Sequence, residues 1–304
     1  MDRGDEGEAP TPPPSARPPS PALAYRIVDA FTPVAFGGNP AAVILPGLAS
    51  DGLSDEERQT IAAEMNLSET AFPGLPDSSG QRGLRWFTPT TEVSLCGHAT
   101  LASAQALLEQ GEEPPFRFNS LSGVLEVDRE GDELRMDFPS DPPQAVPAPP
   151  GLLEALGLPA ETSFLAGSRS SVVPVADPAT VQGLCPEMAA LAAVKLPPGV
   201  MGVSVTAPTG PRAFTSRFFG PWVGVDEDPV TGMAHTVLGP YWAQRLEVAD
   251  GEVLHATQGG VRKGELRVRV QGERVHLLGH AIIVAEGRIL AQKRATTLTS
   301  VRPS

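Results

Sequence analysis

The chain has 304 residues, long enough for two ordinary domains, and its 41% hydrophobic and 19% charged residues make a globular composition. A formal net charge of -13 opposes polyanions, which argues against nucleic acid and anionic membrane surfaces as partners. Cys96 and Cys185 form no C-x-x-C pair, the early residues hold no secretory apolar segment, and no run of roughly 20 apolar residues follows, so a cytoplasmic protein is expected.

Residues 1–23, acidic and rich in proline, predict a disordered tail, and 297–304 a second tail. Tyr25 to Phe31 reads as the first strand, and Gly37-Gly38-Asn39-Pro40 as a turn before a buried strand from Ala41 to Leu45. Ser54 and Glu57 form a capping-box pattern, and Ile61, Ala62 and Met65 give the apolar face of a helix ending near Asn66. Leu67 to Phe72 is a short strand that puts Leu67, Glu69 and Ala71 on one face, so a carboxylate sits in apolar company.

Leu84 to Thr88 is an aromatic strand, Thr90 to Gly97 a turn, and His98 to Glu109 a helix of almost wholly small or apolar residues. A helix apolar all round is one surrounded by protein. Strands at Phe116–Asn119, Val124–Asp128 and Leu134–Phe138 follow, with Gly131-Asp132 as a hairpin turn, and Pro139 to Pro150 reads as a linker. Beyond it come a helix from about Leu152, an apolar segment from Val172 to Val175 and a helix around Glu187 to Val194. Six strands are expected at Val200–Ala207, Ala213–Phe219, Val253–Ala256, Glu265–Val270, Val275–Leu278 and Ala281–Glu286.

One phrase occurs twice. Arg85-Trp86-Phe87-Thr88-Pro89 leads to Cys96-Gly97-His98-Ala99-Thr100, and Arg217-Phe218-Phe219-Gly220-Pro221 leads to Gly232-Met233-Ala234-His235-Thr236. Each copy reads as an aromatic strand, a glycine turn and a helix start, and two helix N-termini facing one another would bind an anion such as a carboxylate. The economical architecture is α+β, two pseudo-symmetric halves, each a curved, mostly antiparallel sheet wrapped around a central helix. The halves are expected at 24–141 and 142–296, with the last strand free to return to the first half.

Glu69 is the first candidate for chemistry, because burial should raise its pKa toward general-base values. Cys96 and His98 stand at a helix start, where the positive end of the dipole favours a thiolate or an anion-binding donor. A metal site from Cys96, His98 and His235 lacks a fourth ligand, so no metal is expected. Asp228 precedes the second helix as Glu92 precedes the first, and is expected to face Glu69 or His98. Arg262, in the glycine-rich turn from Gln258 to Glu265, is a further candidate for a substrate carboxylate.

Five ordered segments carry a resemblance: FTPVAFGGNPAAV, MNLSETAF, LRWFTPTTEVSLCGHATLASA, SRFFGPWVGVDEDPVTGMAH and GGVRKGELRV. Together, over roughly residues 24 to 296, they resemble the phenazine-biosynthesis isomerase (PhzF-like) family, and most of all its animal branch of phenazine biosynthesis-like domain-containing proteins. The resemblance implies the diaminopimelate-epimerase-like fold and a homodimer. It also implies an isomerase without cofactor, like trans-2,3-dihydro-3-hydroxyanthranilate isomerase, moving a proton on a small carboxylate-bearing substrate. Glu69 matches the glutamate that carries the proton, with His98 and Asp228 as catalytic partners. Asn39, Ser68, Gly97, Gly232 and Met233 are the substrate-binding candidates.

Two departures stand out. Met233 replaces the serine usual after DPVTG, which removes a hydroxyl donor and directs a thioether toward the substrate carboxylate. Gly239-Pro240 interrupts the second central helix, at a cost of about 3 kcal/mol unless the helix kinks or ends there. These departures leave a second possibility, a homologue that has lost turnover and acts as an interaction or ligand-binding module.

Overall fold

A computed structural model describes residues 22–290. The expected tails lie outside the described residues except at 22–23, where the first boundary shifts. Leu23 belongs to the first strand and is buried, because its side chain joins an apolar cluster with Ile44, Phe72 and Phe87.

The first half opens with β1 (Leu23–Ala30), β2 (Asn39–Ile44), the short α1 (Leu48–Asp51), α2 (Asp55–Met65), β3 (Glu69–Pro73) and β4 (Gln81–Phe87). It continues with β5 (Glu92–Val93), α3 (Gly97–Leu108), β6 (Phe116–Ser120), β7 (Gly123–Glu130), β8 (Glu133–Pro139) and β9 (Gln144–Ala145). The second half runs α4 (Leu152–Ala155), β10 (Leu165–Ala166), β11 (Ser171–Pro174), α5 (Pro178–Gly183), α6 (Met188–Ala193), β12 (Val203–Gly210) and β13 (Ala213–Gly220). Then come β14 (Val225–Asp228), α7 (Gly232–Arg245), β15 (Val253–Gln258), β16 (Gly264–Gln271), β17 (Arg274–Gly279) and β18 (Ala281–Ile289). No helix among the described residues is long and apolar enough to cross a membrane.

Pairing repeats across the halves. β1 is antiparallel to β2, β2 parallel to β3, β3 antiparallel to β4, and β4 parallel to β6, which starts the meander β6-β7-β8. In the same order β10, β11, β12, β13 and β15 pair antiparallel, parallel, antiparallel and parallel, and β15-β16-β17 is the second meander. The halves join where β8 pairs with β17, while β9 pairs with β10 and β18 with β1. The closing strand of each half thus lies against the opening strand of the other.

The repeated phrase has a physical cause in this register. Phe87 lies opposite Glu92, and Phe219 opposite Glu227. Arg85 donates both Nε and Nη2 to Glu92 at 2.7 Å, and Arg217 donates Nε at 2.8 Å and Nη2 at 2.7 Å to Glu227. Each guanidinium also sits 5.1 Å from the ring centroid of the phenylalanine two residues on. A forked ion pair stacked on an aromatic ring fixes both partners' geometry, so each aromatic strand holds the returning strand that delivers the chain to a central helix.

Local signals account for the elements around the site. Ser54 and Glu57 close a complete capping box on α2, and Asn66 ends it in the left-handed region at φ 49°. α3 is buried continuously from His98 to Ala104, and its Thr100 and Ser103 hydroxyls donate to the carbonyls of Cys96 and Ala99. The expected break in α7 is absent, and the helix runs through Pro240 to Arg245. The carbonyl that Pro240 leaves without its donor belongs to Thr236, and the backbone N–H of Asp141 donates to it at 3.1 Å. Gly239 has a packing reason, since a Cβ there would stand 2.8 Å from Val268 Cγ1.

Candidate active site

The candidate residues converge from both halves. Asn39 opens β2, Ser68 and Glu69 stand at the head of β3, Gly97 and His98 begin α3, Asp228 ends β14, and Gly232 and Met233 begin α7. Asn39 is delivered by Gly38, at φ +58°, where a Cβ would lie 2.1 Å from the Ala30 carbonyl. Arg262 holds this turn. Its Nη2 donates to Asp29 Oδ1 at 2.6 Å and to Gly37 O at 2.7 Å, and its Nε donates to Gly38 O at 2.7 Å. The expectation that Arg262 meets a substrate carboxylate is therefore corrected: the guanidinium is committed to a buried Asp29 and two carbonyls, and clamps the second half onto the turn before Asn39.

Asn39 is the centre of a polar cluster. Its Nδ2 donates to Asp228 Oδ1 at 2.6 Å and to Val230 O at 3.0 Å, and lies 3.2 Å from His98 Nδ1. Ser68 Oγ sits 3.2 Å from Asn39 Oδ1, from Pro40 O and from His98 Nε2. Glu69 Oε2, a buried oxygen, approaches His98 Nε2 to 3.1 Å, an ion-pair distance. Asp228 takes Thr231 Oγ1 on its other oxygen at 2.5 Å, and Gln258 Nε2 donates to the Asp228 carbonyl and to Thr231 Oγ1.

The electrostatics depart from the sequence expectation for Glu69. Burial pushes its pKa up, but the positive charge of His98 and the donors around it outweigh burial and hold it below the ordinary carboxylate value. Burial opposes the charge on His98, while the Cys96 sulfur and the Glu69 carboxylate favour it, and the balance lies well above the ordinary imidazole value. Burial and the Glu69 charge push the Cys96 thiol up to about 11, so it stays protonated at neutral pH and Glu69 is the counter-charge of His98. Asp228 rises to about 6, through burial and the repulsion of Glu69, despite His98, Thr231 and Asn39. The residue keeps some exposed surface, but its carboxyl is held between Asn39 and Thr231, and those surroundings set its titration.

The two helix starts meet back to back. A Cβ on Gly97 would lie 3.4 Å from Gly232 Cα, and one on Gly232 would lie 3.5 Å from Gly97 Cα. Neither N-cap, Cys96 or Thr231, supplies a side-chain cap hydrogen bond, so backbone N–H groups of both first turns lack that partner beside the acid and base groups. Glu69, Cys96 and His98 present one donor atom each within 4.8 Å of one another, a set of three that could hold a metal ion. His235 is elsewhere. Its Nδ1 meets Thr231 O at 2.8 Å, its ring stacks on Phe214, and burial lowers it to about 4, so it stays neutral.

Register identifies the counterparts of these residues in the second half. Thr70 lies opposite Phe87 as Val203 lies opposite Phe219, so Glu69 corresponds to Gly202, where a Cβ would stand 2.2 Å from Phe218 Cζ. Ala42 opposite Thr70 matches Ser171 opposite Val203, which makes Ser168 the counterpart of Asn39. His98 corresponds to Met233, and Val230 to Leu95. Met233, Leu95 and Ser168 line one cleft of about 200 Å3, and Met233 packs there against the apolar core. Sequence reasoning missed Gln258, Thr231 and the clamping role of Arg262; the one available signal was that Gln258 and Arg262 share a glycine-rich turn.

A family model for phenazine biosynthesis-like proteins (PhzC-PhzF) matches residues 28–287. An uncharacterized isomerase of Pseudomonas aeruginosa is 49% identical over 264 residues, covering 86% of this chain and 96% of the relative. The phenazine biosynthesis-like domain-containing protein 1 of Mus musculus is 40% identical over 288 residues, covering 87% and 98%. The crystal structure of a PhzF-family phenazine biosynthesis protein from Enterococcus faecalis superposes with a TM-score of 0.79 at 38% identity, covering 88% and 99%. A hydroxyproline epimerase of Agrobacterium vitis shares the fold at 14% identity, with a TM-score of 0.59. On the family match, the identities and the coverage, the chain belongs to the PhzC-PhzF family of phenazine biosynthesis-like proteins.

Proposed function

We propose that the protein is an isomerase that moves a proton on a small carboxylate-bearing substrate without a cofactor, with Glu69 as the proton carrier. The observation that carries this reading is the buried Glu69 carboxylate, whose Oε2 lies 3.1 Å from His98 Nε2 at the start of α3. A buried carboxylate kept charged by a neighbouring imidazolium is a base able to take a carbon-bound proton.

In this reading the backbone N–H groups at Gly97 and Gly232 hold the substrate carboxylate. Glu69 takes a proton from one carbon, the C–H electron pair passes into the substrate's conjugated system, and Glu69 returns the proton to a second carbon, with no net oxidation. His98 stabilises the negative charge at each stage. Asp228, which changes protonation near neutral pH, assists as the second acid. The Gly202 counterpart position supports a single carrier, since Phe218 leaves no room there for a second base. The counterpart of Cys96 at the start of α7 is Thr231 and not a second cysteine, which speaks against a racemase working through paired cysteines. The continuity of α7 removes one of the two motives for an inactive homologue.

The test is hydrogen exchange. The protein is incubated in deuterium oxide with a panel of small carboxylates that includes trans-2,3-dihydro-3-hydroxyanthranilate, and carbon-bound deuterium is followed by NMR. Enzyme-dependent incorporation into at least one member is expected, and none across the panel would contradict the reading.

A further inference from the structure

The internal repeat places a second, emptied version of the site beside the first. Asn39, His98 and Val230 make the polar cluster, and their counterparts Ser168, Met233 and Leu95 line a cleft instead. Where the first half presents an acid–base pair, the second has a glycine at Gly202 and a thioether at Met233. The cleft is therefore apolar where its counterpart is reactive. Leu95 lies two residues before Gly97 and Met233 directly follows Gly232, so two walls of the cleft are carried on the segments that form the glycine turns.

Phe138 extends the apolar wall, and two polar groups in the lining are uncommitted. Ser140 Oγ is buried without a hydrogen-bond partner among the described residues. Arg169 has no side-chain hydrogen bond or ion pair among the described residues, although most of the other arginines are paired. Asp141, also in the lining, accepts Ser168 N at 2.8 Å and Ser168 Oγ at 2.8 Å, so its charge is already engaged. That acid disfavours a doubly charged phosphate and leaves room for a singly charged group. The volume, about 200 Å3, is below the ~300 Å3 at which ordinary small-molecule sites begin, so the occupant is a small ring or short chain.

Resting on the isomerase reading above, we propose that this cleft holds the body of the substrate and that Arg169 pairs with a second carboxylate on it. The substrate class is then a small dicarboxylate with an apolar or conjugated core: one carboxylate lies at the paired helix starts and the other at Arg169, a specificity-determining residue. Met233 serves as a wall of this subsite and contacts the core of the substrate.

The test compares matched probes by isothermal titration calorimetry, terephthalate against benzoate and adipate against hexanoate, on wild type, Arg169→Gln and Glu69→Gln. Wild type should bind at least one dicarboxylate about tenfold more tightly than its monocarboxylate partner, the weight of one charge-assisted pair. Arg169→Gln should erase that margin and leave the monocarboxylate affinity and the melting temperature unchanged, since the guanidinium has no partner to lose among the described residues. Glu69→Gln should keep the margin, because binding needs no proton transfer. No margin in wild type, no dicarboxylate binding, or a margin that survives Arg169→Gln overturns the proposal. A margin without any hydrogen exchange in wild type would overturn the isomerase reading and leave the dicarboxylate subsite standing.

Discussion

Asp228→Asn should stabilise the protein at neutral pH while it impairs the site. The Asp228 carboxyl titrates at about 6 in the fold against 3.8 for the free side chain, because burial and Glu69 oppose its charge. Between those values the folded chain holds a proton that the unfolded chain has released, so stability falls as pH rises through that window. The difference of about 2 units corresponds to about 3 kcal/mol lost by pH 7. Asparagine is neutral throughout and still offers an oxygen to Asn39, while the Thr231 hydroxyl can rotate to accept from the new amide. Urea unfolding of both proteins at a series of pH values is the assay. The stability of Asp228→Asn relative to wild type should grow from near zero at pH 4 to about 3 kcal/mol at pH 7.5, with exchange activity reduced. A difference that is flat with pH, or a destabilised variant at pH 7.5, would refute the reasoning.

Three further outcomes follow from the geometry. Gly97→Ala places its Cβ at an ordinary 3.4 Å from Gly232 Cα, so the melting temperature should hold or rise with the helix propensity of alanine, while carboxylate binding measured by calorimetry is lost. Arg262→Ala leaves the buried Asp29 carboxylate with the Phe36 N–H as its remaining hydrogen bond and should cost about 3 kcal/mol in urea unfolding, with Asp29→Asn in the same chain recovering most of it. Gly239→Ala forces a Cβ to 2.8 Å from Val268 and should lower stability by about 1–3 kcal/mol, whereas Pro240→Ala should change it by less than about 1 kcal/mol because Asp141 already serves the Thr236 carbonyl.

What the sequence disclosed was local or repeated. The Ser54–Glu57 capping box, the Gly131-Asp132 hairpin and the uniformly apolar α3 are set by neighbouring residues and appear where expected. The duplicated aromatic phrase led to the two-half architecture, although its reason, the Arg85–Glu92 and Arg217–Glu227 forks, needed the strand register. Non-local compensation could not be read. Pro240 looks disruptive until Asp141, about a hundred residues earlier, supplies the missing donor. Arg262 looks free until Asp29, 233 residues away in sequence, takes it. Glu69 was expected to have a raised pKa from its apolar strand, but His98 arrives from another element and reverses the sign. The same contact makes the pair a stronger candidate for proton transfer, since it fixes the carboxylate as the charged partner at neutral pH.

In the proposed reaction Glu69 is the one proton carrier, and the most direct measurement compares solvent deuterium incorporation by Glu69→Gln and Cys96→Ala with wild type on the same accepted substrate. Glu69→Gln should lose about 10²–10⁴-fold in exchange rate, the usual weight of a general base, while Cys96→Ala stays within a few-fold of wild type. Exchange that persists in Glu69→Gln, or that vanishes in Cys96→Ala, would contradict it.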